Sequence, residues 1–305
     1  MHSFLYHWQV SNYLVKALSL TLCCFFMLLN PHKAYSKSNV FTYPAPETPN
    51  DQRFNDLIEI LRTALERTVP EFGPYELGPA STVMSKARYL TELQNGQAPN
   101  IIWSSTSQDL ENQFLPIRIP LRKGLLGYRI ALIAKDQQEK LDRVKTVEDL
   151  KKLTVGQGLF WGDSLIFEAV GMQVTRAKYA NLFAMTSLKR FDLFPRGINE
   201  VFTEYELHRK EFPDLQIEKN LLIYYPWPYY FFFNKNDSVR SKRVETGLRK
   251  MMQDGSFEAI FRKYHNSAIE QADLKNRRII RLKNTLLPKE TPLHDSSLWF
   301  NPVLP

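Results

Sequence analysis

Apolar residues recur at helical spacing through Phe54, Leu57, Ile58, Leu61, Ala64 and Leu65, just after the extended Phe41-Thr42-Tyr43 and a proline-rich run over 44–49. Strand, loop, helix in that order predicts an α/β unit. Tyr75-Glu76-Leu77 reads as a second strand. Residues 85–93 read as a short helix with Ala87, Leu90 and Leu93 inward, ending at Asn95-Gly96. The run over 100–106 then reads as a buried strand that closes on aromatic and hydroxyl residues. Ligands of parallel α/β sheets sit beyond the carboxyl ends of strands, so Tyr43, Trp103, Ser104 and Ser105 are candidate contacts.

The two prolines over 114–121 rule out a helix interior, and residues 124–134 predict a long strand. Thr146-Val147-Glu148-Asp149 has capping-box spacing and opens a new unit. Residues 153–158 predict a strand running into a glycine-containing loop with Trp161, Gly162 and Asp163 at its apex; Asp163 or Ser164 caps a helix to about residue 169. The apolar Phe191-Asp192-Leu193-Phe194 stops at Pro195-Arg196-Gly197, after which Ile198, Val201, Phe202, Tyr205 and Phe212 return to helical spacing. That places Arg196 and Gly197 at a helix N-terminus, where unpaired N–H groups, the helix dipole and a guanidinium together could hold an anion. The competing reading is a solvated arginine in a local ion pair, with Glu200 one turn on. Strands over 221–225 and 229–233 flank Pro226-Trp227-Pro228. Two helices follow, through Val244, Leu248, Met251 and Met252, then Phe257, Ile260, Phe261 and Tyr264. The tail from 277 reads as a strand and a proline-bearing wrap that docks Trp299 and Phe300 on the core.

This order predicts one lobe inserted into another, with crossings near 121–129 and 224–233. The expected partition is 37–127 for the first part of lobe one, 128–225 for lobe two, and 226–305 for the rest of lobe one with a C-terminal wrap. Residues 1–36 stand apart: Lys16, an apolar run over 17–29, Asn30-Pro31 and Ala34-Tyr35-Ser36 match a cleavable signal peptide. A membrane anchor competes with that reading, but Asn30-Pro31 and the small residues after it favour cleavage. Leu22 before Cys23 does not fit a lipoprotein. Cleavage would remove both cysteines, leaving no disulfide, thiol nucleophile or cysteine metal site. The net charge of +8 becomes +6 once Lys16 and Lys33 are gone, and the scattered basic residues do not indicate nucleic acid.

Three stretches give the chain a resemblance to the type II periplasmic solute-binding proteins, extracellular family 3 (polar amino acid type). They are Thr146-Val147-Glu148-Asp149-Leu150 with Val155-Gly156-Gln157-Gly158; Phe191-Asp192-Leu193-Phe194; and the Asp254-Gly255-Ser256-Phe257 start of a C-terminal helix running to Tyr264. The resemblance covers about 40–265 and implies a two-lobe α/β fold with a hinge of two crossing strands. It also implies a small-molecule solute in the cleft and an ABC permease as partner. Two departures bear on the solute. Acids, Asp109 and Glu111, stand where the family's carboxylate-binding arginine is expected, and Arg196 stands about where its amine-binding aspartate is expected. An anionic group near lobe two is the resulting expectation.

No enzymatic constellation emerges. Outside the leader, His208, His265 and His294 lack metal-ligand spacing, Gly156-Gln157-Gly158 is not a dinucleotide fingerprint, and no Walker loop or nucleophile elbow occurs. The expectation is a monomeric periplasmic protein without metal or cofactor that binds a solute through Tyr43, Trp103, Ser104, Ser105, Trp161, Gly162, Asp163, Arg196 and Gly197. The alternatives are a solute sensor or scaffold working with a membrane partner, and an enzyme.

Overall fold

The computed structural model of the 305-residue chain describes residues 39–48 and 51–302, so the signal-peptide reading lies outside the described residues. Among them no helix is long and apolar enough to cross a membrane.

The first lobe opens with β1 (Val40–Tyr43), α1 (Asn55–Arg67), the single turn α2 (Val69–Phe72) and β2 (Glu76–Pro79), with β1 and β2 parallel. Then come α3 (Lys86–Gln94), β3 (Ile102–Ser105), α4 (Gln108–Gln113) and β4 (Phe114–Ile117). The Asn100 side chain ties β1 to the run-in of β3, donating to the Val40 carbonyl at 2.9 Å and accepting from the Thr42 N–H at 3.0 Å. The α1 stripe Leu57, Ile60, Leu61, Ala64 and Leu65 is buried against Phe41, Trp103 and Phe231.

The chain then enters the second lobe through β5 (Tyr128–Ala134), α5 (Gln138–Asp142) and α6 (Val147–Leu150), where Thr146 and Asp149 form the expected capping box. Here β6 (Thr154–Gly158) pairs in parallel with β7 (Gln173–Ala177), with α7 (Asp163–Ala169) between them. Next are α8 (Tyr179–Ser187), β8 (Phe194–Gly197), α9 (Val201–His208), β9 (Leu215–Ile217) and β10 (Leu221–Tyr224). The main sheet of this lobe places β5 between β8 and β10. Back in the first lobe, β11 (Tyr229–Asn234) lies between β3 and β4, antiparallel to both. From there α10 (Ser238–Asp254) packs on α1 and α11 (Ser256–Ala272) follows, before β12 (Arg278–Arg281).

The mix of strands and helices agrees with the two-lobe α/β expectation, but several details differ. The sequence pattern predicts no element at β7 or α8, and α7 begins at Asp163 without the side-chain cap expected from Asp163 or Ser164. The strand expected over 124–134 begins only at Tyr128, because Gly124 adopts φ +70° and Leu125–Gly127 form one 3-10 turn. Arg196 and Gly197 close strand β8 and do not start a helix: Arg196 pairs with Ile130, the Ile198 N–H still donates to the Tyr128 carbonyl at 3.1 Å, and α9 begins at Val201. The tail after α11 does not stay with the first lobe. β12 pairs in parallel with β10, because Ile280 and Leu282 bury in the second lobe's core beside Leu221 and Tyr225. Trp299 and Phe300 dock on the core as expected, and also on the segment joining the lobes: the Phe300 N–H donates to the Lys123 carbonyl at 2.7 Å, and the Tyr128 hydroxyl to the Phe300 carbonyl at 2.9 Å.

The two crossovers run side by side. The Leu121 N–H donates to the Tyr229 carbonyl at 2.9 Å on the first-lobe side, and the Tyr225 N–H to the Gly127 carbonyl at 3.2 Å on the second. Gly127 is required by this approach, since a Cβ there would fall far inside contact distance of the Tyr225 carbonyl oxygen.

Candidate ligand-binding site

Residues following β1, the start of α1, the start of α3, β3 and the first residue of β11 enclose a cavity of about 280 Å³ in the first lobe, beside the second crossover. Phe54, Tyr89, Trp103 and Tyr229 form its aromatic walls. Trp103 is buried and held in place by Tyr43, Phe54 and Phe231, with ring centroids 5.8, 5.4 and 6.5 Å away. Tyr43 thus supports the wall from behind and is not itself among the lining residues. Ser104 is buried and its Oγ accepts a hydrogen bond from the Lys86 Nζ at 3.3 Å, while Ser105 is half-buried opposite Tyr229 in the sheet register. Of the four first-lobe candidates, three therefore gather at or directly behind one cavity, with Ser105 at its strand end.

Charge in the cavity is unevenly matched. Arg53 bonds both acids of the lining, Glu47 at 2.9 Å and Asp51 at 2.7 Å, and its guanidinium holds the Asp51 carboxyl down to about 2. Among the described residues Lys86 meets only the Ser104 hydroxyl, and desolvation lowers its pKa from the ordinary lysine value. Deeper in this lobe Arg122 grips Asp56 through two bonds of 2.6 and 2.8 Å, with His265 Nε2 3.2 Å from the same carboxylate. Burial alone would raise the Asp56 pKa, but Arg122 and His265 outweigh it and hold the carboxyl far below its usual range.

The second-lobe candidates come together as a closed charge network. The Arg196 guanidinium donates to Glu204 through a fork of 2.6 and 2.7 Å and lies 3.1 Å from Glu200. The Trp161 ring sits under it at 4.6 Å, flanked by Tyr179 and Phe194. Burial works against the charged guanidinium, yet Glu204 and Glu200 raise its pKa above the ordinary value. The Gly197 N–H donates to the Glu200 carboxylate at 3.0 Å. The anion that this strand end holds is thus the chain's own Glu200, and the expectation of Arg196 and Gly197 as an open anion site is corrected accordingly. The local Arg196–Glu200 pair named as the competing reading is present. Asp163 is likewise occupied, by Arg129 at 2.7 Å and by the Tyr225 hydroxyl. Gly162 packs under the crossover residue Trp227, whose Cη2 lies 3.1 Å from where a Cβ would stand.

Sequence reasoning missed Lys86, the Arg53 bridge, and Arg129. Lys86 lies within the stretch that predicts a short helix with Ala87, Leu90 and Leu93 inward, and its meeting with Ser104 depends on how α3 comes against β3. Arg129 lay within a strand read only for its apolar residues.

No family model and no curated protein sequence matches the chain. Among solved structures, a probable amino-acid ABC transporter extracellular-binding protein from Bacillus subtilis is similar at a TM-score of 0.50 and 19% identity, covering 74% of this chain and 98% of that one. An ancestral arginine-binding protein bound to arginine matches at 0.49 and 15% identity, over 74% of this chain and 98% of that one. An ancestral amino-acid-binding protein described as a precursor of cyclohexadienyl dehydratase matches at 0.49 and 14%, over 75% and 96%. The Bacillus likeness places the chain in the two-lobe fold of amino-acid ABC transporter substrate-binding proteins.

Proposed function

We propose that this protein captures a small solute between its two lobes without transforming it and delivers it to an ABC permease, working as a monomer in the periplasm after loss of the 1–36 leader. The observation that carries this reading is the aromatic-walled cavity at the end of β1, next to the second crossover. A cavity so placed is covered when the lobes rotate toward each other about the joined segments. Its size lies just below the range usual for small-molecule sites, and its lining of mostly apolar and aromatic faces with a minority of charged groups is the usual composition of such a site. The structural neighbours named as amino-acid-binding proteins support a solute of similar size. Tyr43, Trp103, Ser104 and Ser105 serve on the first lobe; Trp161 and Gly162 lie on the second-lobe surface that closes over it, braced by the buried Asp163, Arg196 and Gly197.

The test is to identify by mass spectrometry the small molecules released from natively purified protein and return them to stripped protein during small-angle scattering. Compaction at saturation, with the solute recovered unchanged, is expected. Unchanged scattering at saturation refutes hinge capture, and steady conversion of the solute would establish the enzyme alternative. A kinase-type membrane partner recovered by crosslinking, in place of a permease, would turn the reading to solute sensing.

A further inference from the structure

We infer that the first-lobe cavity anchors the anionic group of an apolar monocarboxylate on Lys86. This rests on the solute-capture reading and adds the charge of the solute and the residue that meets it. Four charged side chains line the cavity: Glu47, Asp51, Arg53 and Lys86. Arg53 engages both acids, through its Nη2 to Glu47 and its Nε and Nη2 to Asp51. Glu47 is 70% exposed, so water screens its charge. Lys86 remains. Lys86 is an exposed residue at the rim whose Nζ bonds the buried Ser104 Oγ, and desolvation lowers its pKa.

The groups offered there are donors. An ammonium has three N–H groups and one points at Ser104, leaving two for a ligand. Because Ser104 Oγ accepts from Lys86, its own hydroxyl hydrogen stays available to donate. Lys86 is also the first residue of the nine-residue helix α3, so the positive end of that helix lies at the same edge of the cavity. An ammonium-bearing ligand finds no comparable partner. The two lining acids are engaged by Arg53, and on the facing lobe Asp163, Glu200 and Glu204 are engaged by Arg129 and Arg196. The remaining walls are largely apolar, with Phe54, Tyr89, Trp103 and Tyr229 beside Pro44, Pro46, Ile58 and Met84, and about 280 Å³ is nearly twice the ~150 Å³ cavity that takes benzene, enough for a ring carrying a short acid arm.

The experiment is calorimetric titration of the purified chain with phenylacetate, L-phenylalanine and phenethylamine. Phenylacetate should bind at least ten-fold more tightly than phenethylamine. Lys86→Met, which keeps the apolar stem, should weaken phenylacetate ten-fold or more with an unchanged melting temperature, and Lys86→Arg should retain most of the affinity. Equal phenylacetate affinity for wild type and Lys86→Met overturns the inference. So does a preference for the amine or the zwitterion, and in both cases solute capture itself stands. If none of the three probes binds, the inference also falls. Solute capture falls only if the solute extracted from native protein also fails to compact the chain.

Discussion

Replacing Arg196 separates a structural role from a ligand-binding one. Its side chain is 8% exposed and makes a fork to Glu204, itself 11% exposed, with Glu200 3.1 Å away and the Trp161 ring 4.6 Å below. Arg196→Ala removes the only cation bonded to Glu204 among the described residues and leaves that carboxylate in a pocket of Tyr179, Phe194 and Trp161. Breaking one side of a buried pair costs about 3–5 kcal/mol, because the surviving charge is uncompensated. At about 2.1 cal/mol/K of unfolding entropy per residue, that corresponds to a fall in Tm of roughly 5–9 °C for a chain of this size. Arg196→Met combined with Glu204→Leu removes both charges at similar volume and should recover most of the loss. The assay is thermal and urea denaturation of the single and double variants, read beside calorimetric titration with the extracted solute. An Arg196→Ala protein with wild-type stability and no solute affinity would refute the closed-network reading and restore Arg196 as a ligand group.

Gly127→Ala drives a methyl group into the Tyr225 carbonyl and must part the two crossovers; it should cost about 1–3 kcal/mol in urea denaturation and shift the scattering profile of the unliganded chain, whereas an unchanged profile would show that the crossovers are not pressed together there. Asp56 gives a pH signature whose sign follows from its depressed pKa. The stabilisation is complete above the unfolded value of about 4 and is lost as pH falls toward the folded value, at up to about 1.4 kcal/mol per pH unit. The stability gap between wild type and Asp56→Asn should therefore shrink below pH 4, and a gap constant from pH 7 to pH 2 would contradict the assignment.

Features set by local chemistry were legible in the sequence. The α1 stripe, the Thr146 capping box and the docking of Trp299 and Phe300 each depend on spacing or on large apolar residues that must be covered. The end of β8 was not legible. Pro195 followed by an apolar helical pattern reads as a helix boundary, but β5 supplies ladder partners to Pro195, Arg196 and Gly197 and prolongs the strand. Proline is tolerated there because, among the described residues, pairing on the far side of β8 is limited to the Val155–Leu193 bridge just before it. The site divides in the same way. Trp103 and Ser104 follow from their strand-end position, while Lys86 becomes notable only when α3 brings it onto a serine 18 residues away. No periodicity in the sequence distinguishes an arginine engaged by two glutamates from one facing a ligand.

The segment between the lobes is stiff at both ends and held by the tail in the middle. Backbone bonds from Leu121 to Tyr229 and from Tyr225 to Gly127 clamp the crossovers, so rotation has to be taken up between them. In the second crossover Pro226 and Pro228 fix φ, which leaves Trp227, itself packed on Tyr225 and against Gly162. In the first, Gly124 at φ +70° is the freest residue, yet the Trp299 ring lies directly against it and the Phe300 N–H bonds its neighbour Lys123. Asn284 holds the Pro226 carbonyl at 2.9 Å, and the Leu286 carbonyl accepts from the Gln108 N–H of the first lobe at 3.3 Å. Any lobe rotation must therefore carry residues 282–300 with it, which makes the tail part of the hinge while Leu298 and Phe300 also complete the cores of the two lobes.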